Sequence, residues 1–307
     1  VTSLRNLETD DFFFGWKASR IDEDETMSTV SAEAVKKLRD MTNLPMMECK
    51  SALAEAAGDM EKAVQILRER NAKAQIKRAD REAAEGRIGT YVDPQRQIGA
   101  IVEVRCESPM VVKSEHFIAL AQDLARHVAE QGPGSVEELL GQSYAAGKTV
   151  NDRIAEAIGL IRENMKVARF VRLTGHLGEY VHHDGSVGVL LQVSGPADRQ
   201  LLRDVCMHIT AVVPTPTAVR REEVPESVLV QEREVARAQV AADPKNANKP
   251  ANILDKIIEG KLNSWFKENV LVEQPFVKDD SKSVGQVLQA AGVAPVRFVR
   301  FKVGVLS

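Results

Sequence analysis

Aromatic residues make up only 5% of this chain of 307 residues, so its core has to rest on Val, Leu, Ile, Ala and Met. Cysteine is scarcer still. Cys49, Cys106 and Cys206 are odd in number and far apart. They form neither the CxxC spacing of a metal site nor a disulfide framework, and they read as buried free thiols in a reducing compartment. No apolar run approaches the ~20 residues needed to span a bilayer. An excess of one charge is also missing. The 41 basic and 44 acidic residues leave a net charge of −3, too little for a bulk field that would favour nucleic acid or a membrane surface. The phosphate-cradling GxxxxGK[ST], the dinucleotide-binding GxGxxG and the nucleophile elbow GxSxG are all absent. Neither cofactor, metal nor catalytic constellation is expected.

What remains is 44% apolar and 28% charged, the balance of a soluble globular protein, with length for about two domains. The first residues carry DDFFFGW at Asp10–Trp16 and then the acidic IDEDET. A targeting leader would be basic and poor in acid, so none is read and the expected place is the cytoplasm. Residues 1–27 read as a disordered extension. The sequence MSTVSAEAV from Met27 looks like a natural start, which makes the preceding residues an over-called one.

Residues 28–80 read as a helical module. Ser31 caps a helix with Ala34, Val35 and Leu38 at helical spacing. Thr42–Pro45 is a turn, with Pro45 suited to the first turn of the next helix. That helix carries Met46, Met47, Cys49, Leu53 and Ala56 and ends at Gly58, and Asp59 caps a third. The third helix runs into the Lys- and Arg-rich KAQIKRADREAAEG, which lacks an apolar stripe and reads as a solvated linker.

The rest has the pattern of an α+β body with antiparallel sheets. Residues 86–93 and 97–105 alternate apolar and polar around a Pro-Gln-Arg turn, a hairpin signal. A helix at 114–131 follows, with Phe117, Leu120, Leu124 and Val128 on one face. Strands read at 166–174 and 179–193, the latter with Asp-Gly at its turn, before a helix at 197–213. Two strands then a helix, twice over, suggest two related subdomains, the first at 81–165 and the second at 166–225 with 268–307. A helix at 150–164 lies between them. Residues 226–267 form an inserted helical hairpin around the breaker-rich DPKNANKP. It either packs on its own body or serves as an oligomer arm. The strand VRFVRFKV at 296–303 is expected to rejoin the second sheet.

Few residues invite chemistry. His182-His183-Asp184 could suggest a metal or acid/base cluster, but adjacent strand residues point to opposite faces, so the imidazoles should diverge. His208 reads as a satisfied, half-buried histidine. Met46 and Met47 are more informative. Adjacent helical residues lie ~100° apart, so the pair is buried only if the helix is covered on two sides, and methionine adapts well to a binding surface.

The run Leu38-Arg39, Thr42, Met46-Met47-Glu48-Cys49-Lys50, Ala52-Leu53, Gly58-Asp59 and Leu67-Arg68 is similar to the signature of the elongation factor Ts family. Ala84-Glu85-Gly86, Met207-His208-Ile209, Gln274-Pro275-Phe276-Val277 and Ser283-Val284-Gly285 extend the resemblance over about residues 31–304. It implies a ubiquitin-associated (UBA)-like three-helix module, a core of two α+β subdomains and a dimerisation-type hairpin. It also implies a partner, the translation GTPase EF-Tu, whose GDP release the factor promotes without being an enzyme. The implied contacts in the module are Leu38, Arg39, Thr42, Met46, Met47 and Lys50, with His208 in the core. The family's Thr-Asp-Phe-Val loop, which disturbs the Mg²⁺ side of the EF-Tu nucleotide site, corresponds here to Ser108-Pro109-Met110-Val111. Pro109 stands for the acid and Met110 for the aromatic wedge.

Overall fold

The computed structural model describes residues 30–145, 147–246 and 249–305. The proposed extension at 1–27 lies outside them. The chain divides into two compact units, one up to Leu67 and one from Arg68 onward.

In the first unit, local sequence signals set the helix ends. Ser31 Oγ accepts from the Ala34 N–H at 3.1 Å and starts α1 (Ala32–Thr42), satisfying one of the donors that a helix start leaves open. Asn43 ends it in a left-handed conformation, φ 54°, which asparagine tolerates better than most residues. Pro45 then precedes α2 (Met46–Glu55). Asp59 Oδ1 accepts from the Glu61 and Lys62 N–H groups ahead of α3 (Met60–Arg78). Val35 and Leu38 from α1, Leu44 from the turn, Cys49, Ala52 and Leu53 from α2, and Ala63 and Leu67 from α3 make one apolar core. Each fully buried leucine there contributes roughly 2 kcal/mol by removal from water.

The second unit begins with the hairpin of β1 (Glu85–Asp93) and β2 (Ile98–Cys106). Asp93 Oδ1 closes its turn by accepting from the Gln95 and Arg96 N–H groups. A one-turn helix α4 (Pro109–Val112), α5 (Glu115–Gln131) and α6 (Val136–Gly141) follow. A short ribbon of β3 (Ser143–Ala145) and β4 (Lys148–Thr149) leads into α7 (Val150–Ile161), whose start carries a Thr149–Asp152 capping box. Next come β5 (Met165–Thr174), β6 (His176–Val181), β7 (Val187–Val193) and α8 (Arg199–Ala211). The hairpin helices α9 (Glu226–Ala242) and α10 (Ala251–Asn269) precede a ribbon of β8 (Pro275–Phe276) and β9 (Asp279–Ser283). Helix α11 (Val284–Ala290) and β10 (Pro295–Lys302) close the described fold.

These elements give the α+β architecture expected, with three-stranded antiparallel sheets in the orders β1-β2-β5 and β10-β7-β6. β10 joins β7, as its pattern suggested. One assignment is corrected. The strand expected at 166–174 in the second subdomain is β5, which pairs with β2 of the first along its length, from Ile98↔Thr174 to Cys106↔Met165. Gly175, at φ 110°, lets the chain leave one sheet and enter the other within a single residue. That region is nearly closed to residues with a Cβ.

Strand alternation explains why β2 is buried along almost its whole length. Ala100, Val102 and Val104 face the layer of Phe117, Leu120, Leu124, Ile154 and Ile158 from α5 and α7. Ile101 points the other way and meets Ile88, Leu173, Leu190 and Phe301, a small apolar layer shared by the two sheets. On the far side Val189, Leu191 and Val193 pack on Leu202, Val205 and Ile209 of α8 and on Val284 and Leu288 of α11. Two sheets thus lie face to face with helices outside. Gly89 is needed for that packing, because a Cβ there would sit 2.3 Å from the Ala121 carbonyl oxygen of α5.

Directional bonds tie the second unit together. Glu103, almost fully buried, accepts from Arg105 Nη1 and Arg169 Nε, both at 2.8 Å, and from the Gly304 N–H at 3.0 Å. The α9–α10 hairpin is closed at its base by Leu271 N–H donating to the Ala218 carbonyl and Val272 N–H to that of Val219. Val228, Leu229, Trp265 and Phe266 pack there on Ala218, Val224 and Val270.

Candidate functional site

In the first unit the implied contact residues separate by burial. α2 turns Cys49, Ala52 and Leu53 to the core. Met47, two positions before Cys49, lies about 200° round the helix from it and is 72% exposed. Met46 is 51% exposed, so both members of the pair face solvent. Met41, near the end of α1, is 55% exposed. It was missed from the sequence, because its place three residues after Leu38 reads as an extension of the buried stripe. Arg39 is also exposed, whereas Lys50 and Thr42 are half-buried. Thr42 Oγ1 donates to the Leu38 carbonyl at 2.7 Å and lies 3.7 Å from Cys49 Sγ, so its side chain serves the module itself. Leu38 must be corrected as a contact. It has no exposed surface, and no partner can reach it while the module is folded. The helix ends flanking the turn therefore carry three exposed methionines, side chains with a polarizable thioether and three rotatable bonds that fit irregular surfaces.

The second unit offers one large apolar side chain in an unusual setting. The Ser108–Val111 segment, expected as a loop, runs into the single helical turn α4, with Pro109 at its first position. Val111 and Val112 turn inward and join the core under α5. Met110 turns outward and is 82% exposed. The approach to the turn is fixed from below. Glu163 Oε2 accepts from the Ser108 N–H at 3.0 Å and Glu163 Oε1 from Ser108 Oγ at 2.6 Å. Reciprocally, Glu107 Oε1 accepts from the Asn164 N–H at 2.6 Å. Asn164 Nδ2 also donates to the Ala79 and Arg81 carbonyls, drawing in the segment after α3. Cys106 Sγ donates to the Ser108 carbonyl at 3.5 Å. Burial, reinforced by the Glu163 carboxylate, pushes this thiol up to about 12, so it stays protonated and is no nucleophile at neutral pH.

His208 is satisfied, as its own surroundings suggested, but its burial corrects the contact role that the resemblance implied. It is completely buried, and both ring nitrogens are engaged. Nδ1 accepts from the Val277 N–H at 3.2 Å, which leaves Nε2–H to donate to Gln274 Oε1 at 3.1 Å. Gln274 Nε2 in turn donates to the Pro214 and Glu268 carbonyls. Burial holds the imidazole below its ordinary value. His208 is thus a neutral linchpin between α8 and the β8–β9 ribbon rather than a contact surface.

His182 and His183 also differ from expectation. Their rings meet edge to face at 4.3 Å instead of diverging, because both follow the end of β6, where strand alternation no longer holds. Asp184 does not join them as a ligand set, since its Oδ1 accepts from Ser186 N–H and Oγ. Among the described residues no group of three or more His, Cys, Asp or Glu could hold a metal ion, and no helix is long and apolar enough to cross a membrane. Along the hairpin, Val230, Val235 and Ile253 remain exposed.

The sequence profile described as elongation factor TS matches residues 107–305. A protein named elongation factor Ts from Aquifex aeolicus is 42% identical over 290 residues, covering 90% of this chain and 98% of the relative. Namesakes from Methylococcus capsulatus, 41% identical over 279 residues, and Clostridium perfringens, 38% over 288, each cover 90% of this chain and 92% and 93% of their own length.

Proposed function

This chain belongs to the elongation factor Ts family of translation factors, and on that premise we propose that it binds the GTPase EF-Tu in its GDP form and promotes GDP release. The reaction is linkage rather than bond chemistry. A factor that binds nucleotide-free EF-Tu better than GDP-loaded EF-Tu must weaken GDP binding by the same factor. No catalytic group is required.

The proposed division of labour has two parts. Met41, Met46 and Met47, with Arg39 and Lys50 beside them, dock the helical module on the GTPase. Met110 then enters the Mg²⁺ side of the nucleotide site. The Mg²⁺ ion is among the largest local charges in such a site, so displacing it removes a strong anchor for the phosphates. The observation that carries this reading is Met110 itself, a large apolar side chain left 82% exposed on a turn whose two neighbouring valines are buried. Pro109 supplies no acceptor where the family carries an acid, and a satisfied charge-assisted acceptor contributes about 1.5–3 kcal/mol. Met110 also loses more rotamer freedom on insertion than an aromatic ring. This factor accordingly opens the Mg²⁺ side less forcefully than relatives with the Asp-Phe pair. The hairpin's exposed apolar residues suit a homodimer contact, and the site of action is the cytoplasm.

Stopped-flow release of labelled GDP from the cognate EF-Tu tests the proposal. The release rate should rise and saturate with factor concentration, and the GDP dissociation constant should increase in its presence. Saturating factor that leaves that constant unchanged would reduce the protein to a binding partner that drives no exchange.

A further inference from the structure

Ser108 has the extended backbone of a helix N-cap, φ −126° and ψ 151°, yet its side chain makes no capping bond to α4. Its hydroxyl donates to Glu163 instead, and its N–H donates to the other oxygen of the same carboxylate. One carboxylate thus holds both the peptide plane entering Ser108 and the rotamer of its side chain. The next residue is Pro109, whose ring locks φ near −65°. Beyond Met110, Val111 and Val112 are sunk in the core. Met110 is therefore suspended between a polar clasp on one side and two apolar anchors on the other. Glu163 itself sits at the turn after α7, which Arg162 ends in a left-handed conformation, φ 68°. The reciprocal Glu107–Asn164 bond joins the same two segments a second time.

We propose that Glu163 is a positioning residue for nucleotide exchange: its carboxylate orients Ser108 and thereby aims Met110. The inference rests on the reading of Met110 as the exchange element. A wedge already held in its working direction spends less free energy on ordering when it enters a partner. Loss of the clasp should then slow the opening step while leaving the docking step, carried by the module's methionines, intact.

The test compares full-length Glu163→Ala, Glu163→Gln, Ser108→Ala and Met110→Ala proteins in GDP release from EF-Tu, titrated to saturation, with a thermal melt of each. Glu163→Ala should lower the maximal release rate about tenfold, the scale of one lost charge-assisted bond pair. Glu163→Gln, which keeps one acceptor, should recover part of that loss. The half-saturating factor concentration should stay within about twofold. Ser108→Ala added to Glu163→Ala should slow release no further, because the two act through one connection. A Glu163→Ala protein that exchanges at the wild-type maximal rate overturns the proposal. So does one whose loss of rate matches its unfolded fraction at the assay temperature. If Met110→Ala is slow and Glu163→Ala is not, only the role of Glu163 fails. If Met110→Ala is as fast as wild type, the exchange reading of the turn fails and the positioning role falls with it.

Discussion

Among the described residues, everything buried in the helical module up to Leu67 is apolar, whereas the body beyond it also buries Glu103, His127, Asn164, His208 and Gln274. The two regions keep their shapes by different physics. An apolar core is non-directional. It stabilises the module while leaving surface side chains free to adapt. Buried polar groups demand partners at fixed distances and angles, so the body fixes where a given atom lies. The exposed methionines divide along the same line. Met41, Met46 and Met47 ride on helices with a greasy core, whereas Met110 rises from a turn clasped by carboxylates.

The contrast is most easily broken at Glu103. Replacing it with Ala would leave Arg105 and Arg169 largely buried without their main partner, and such a loss destabilises by about 3 kcal/mol. Urea unfolding should show that deficit in the body. If the variant unfolds like the wild type, buried charge is not what holds the sheets in register. A smaller effect is expected in the module. Met46→Ala with Met47→Ala should weaken EF-Tu binding by about tenfold for each side chain, measured calorimetrically, with the melting temperature unchanged because neither residue is buried. A drop in melting temperature would mean the pair supports the fold. Smaller again is Met110→Ala, with maximal GDP release down about tenfold and binding nearly intact. Equal losses in binding and rate would erase the division between docking and opening.

The mildest effect concerns His208, whose burial depresses its affinity for protons in the folded state. Below the ordinary value of 6.5 the unfolded chain takes up a proton that the folded chain resists, so stability is lost as pH falls from there toward the lower folded value. Melting curves between pH 7.5 and 5.5 should slope downward on the acid side, and His208→Gln should flatten part of that slope. An unchanged profile would remove His208 from the acid response.

Much of this arrangement was legible in the sequence. The helix starts at Ser31 and Asp59 are written as hydroxyl or carboxylate side chains that reach a nearby N–H. The angular spacing of Met46 and Met47 left at least one of them outward unless the helix is covered on two sides, and both are exposed. What was not legible depended on distant partners. Alternation marks 166–174 as a strand but does not say which sheet accepts it, and in the fold it pairs with β2 beside the apolar layer that holds Ile101 and Leu173. His208 was legible as a satisfied histidine, but its partner Gln274 was not, because it lies 66 residues away. The family motif implies a contact at Leu38, although its own helical spacing with Val35 already puts it inside. Glu163 carried no motif at all. Its bonds to Ser108 appear only when the turn after α7 meets the end of β2.

The closed base of the α9–α10 hairpin has one more consequence. Because Leu271 and Val272 return to hydrogen-bond with Ala218 and Val219, the intervening stretch is a side branch grafted onto the body rather than a span of it. The branch can be shortened or lengthened without breaking the hydrogen bonds that close its root or the register of either sheet.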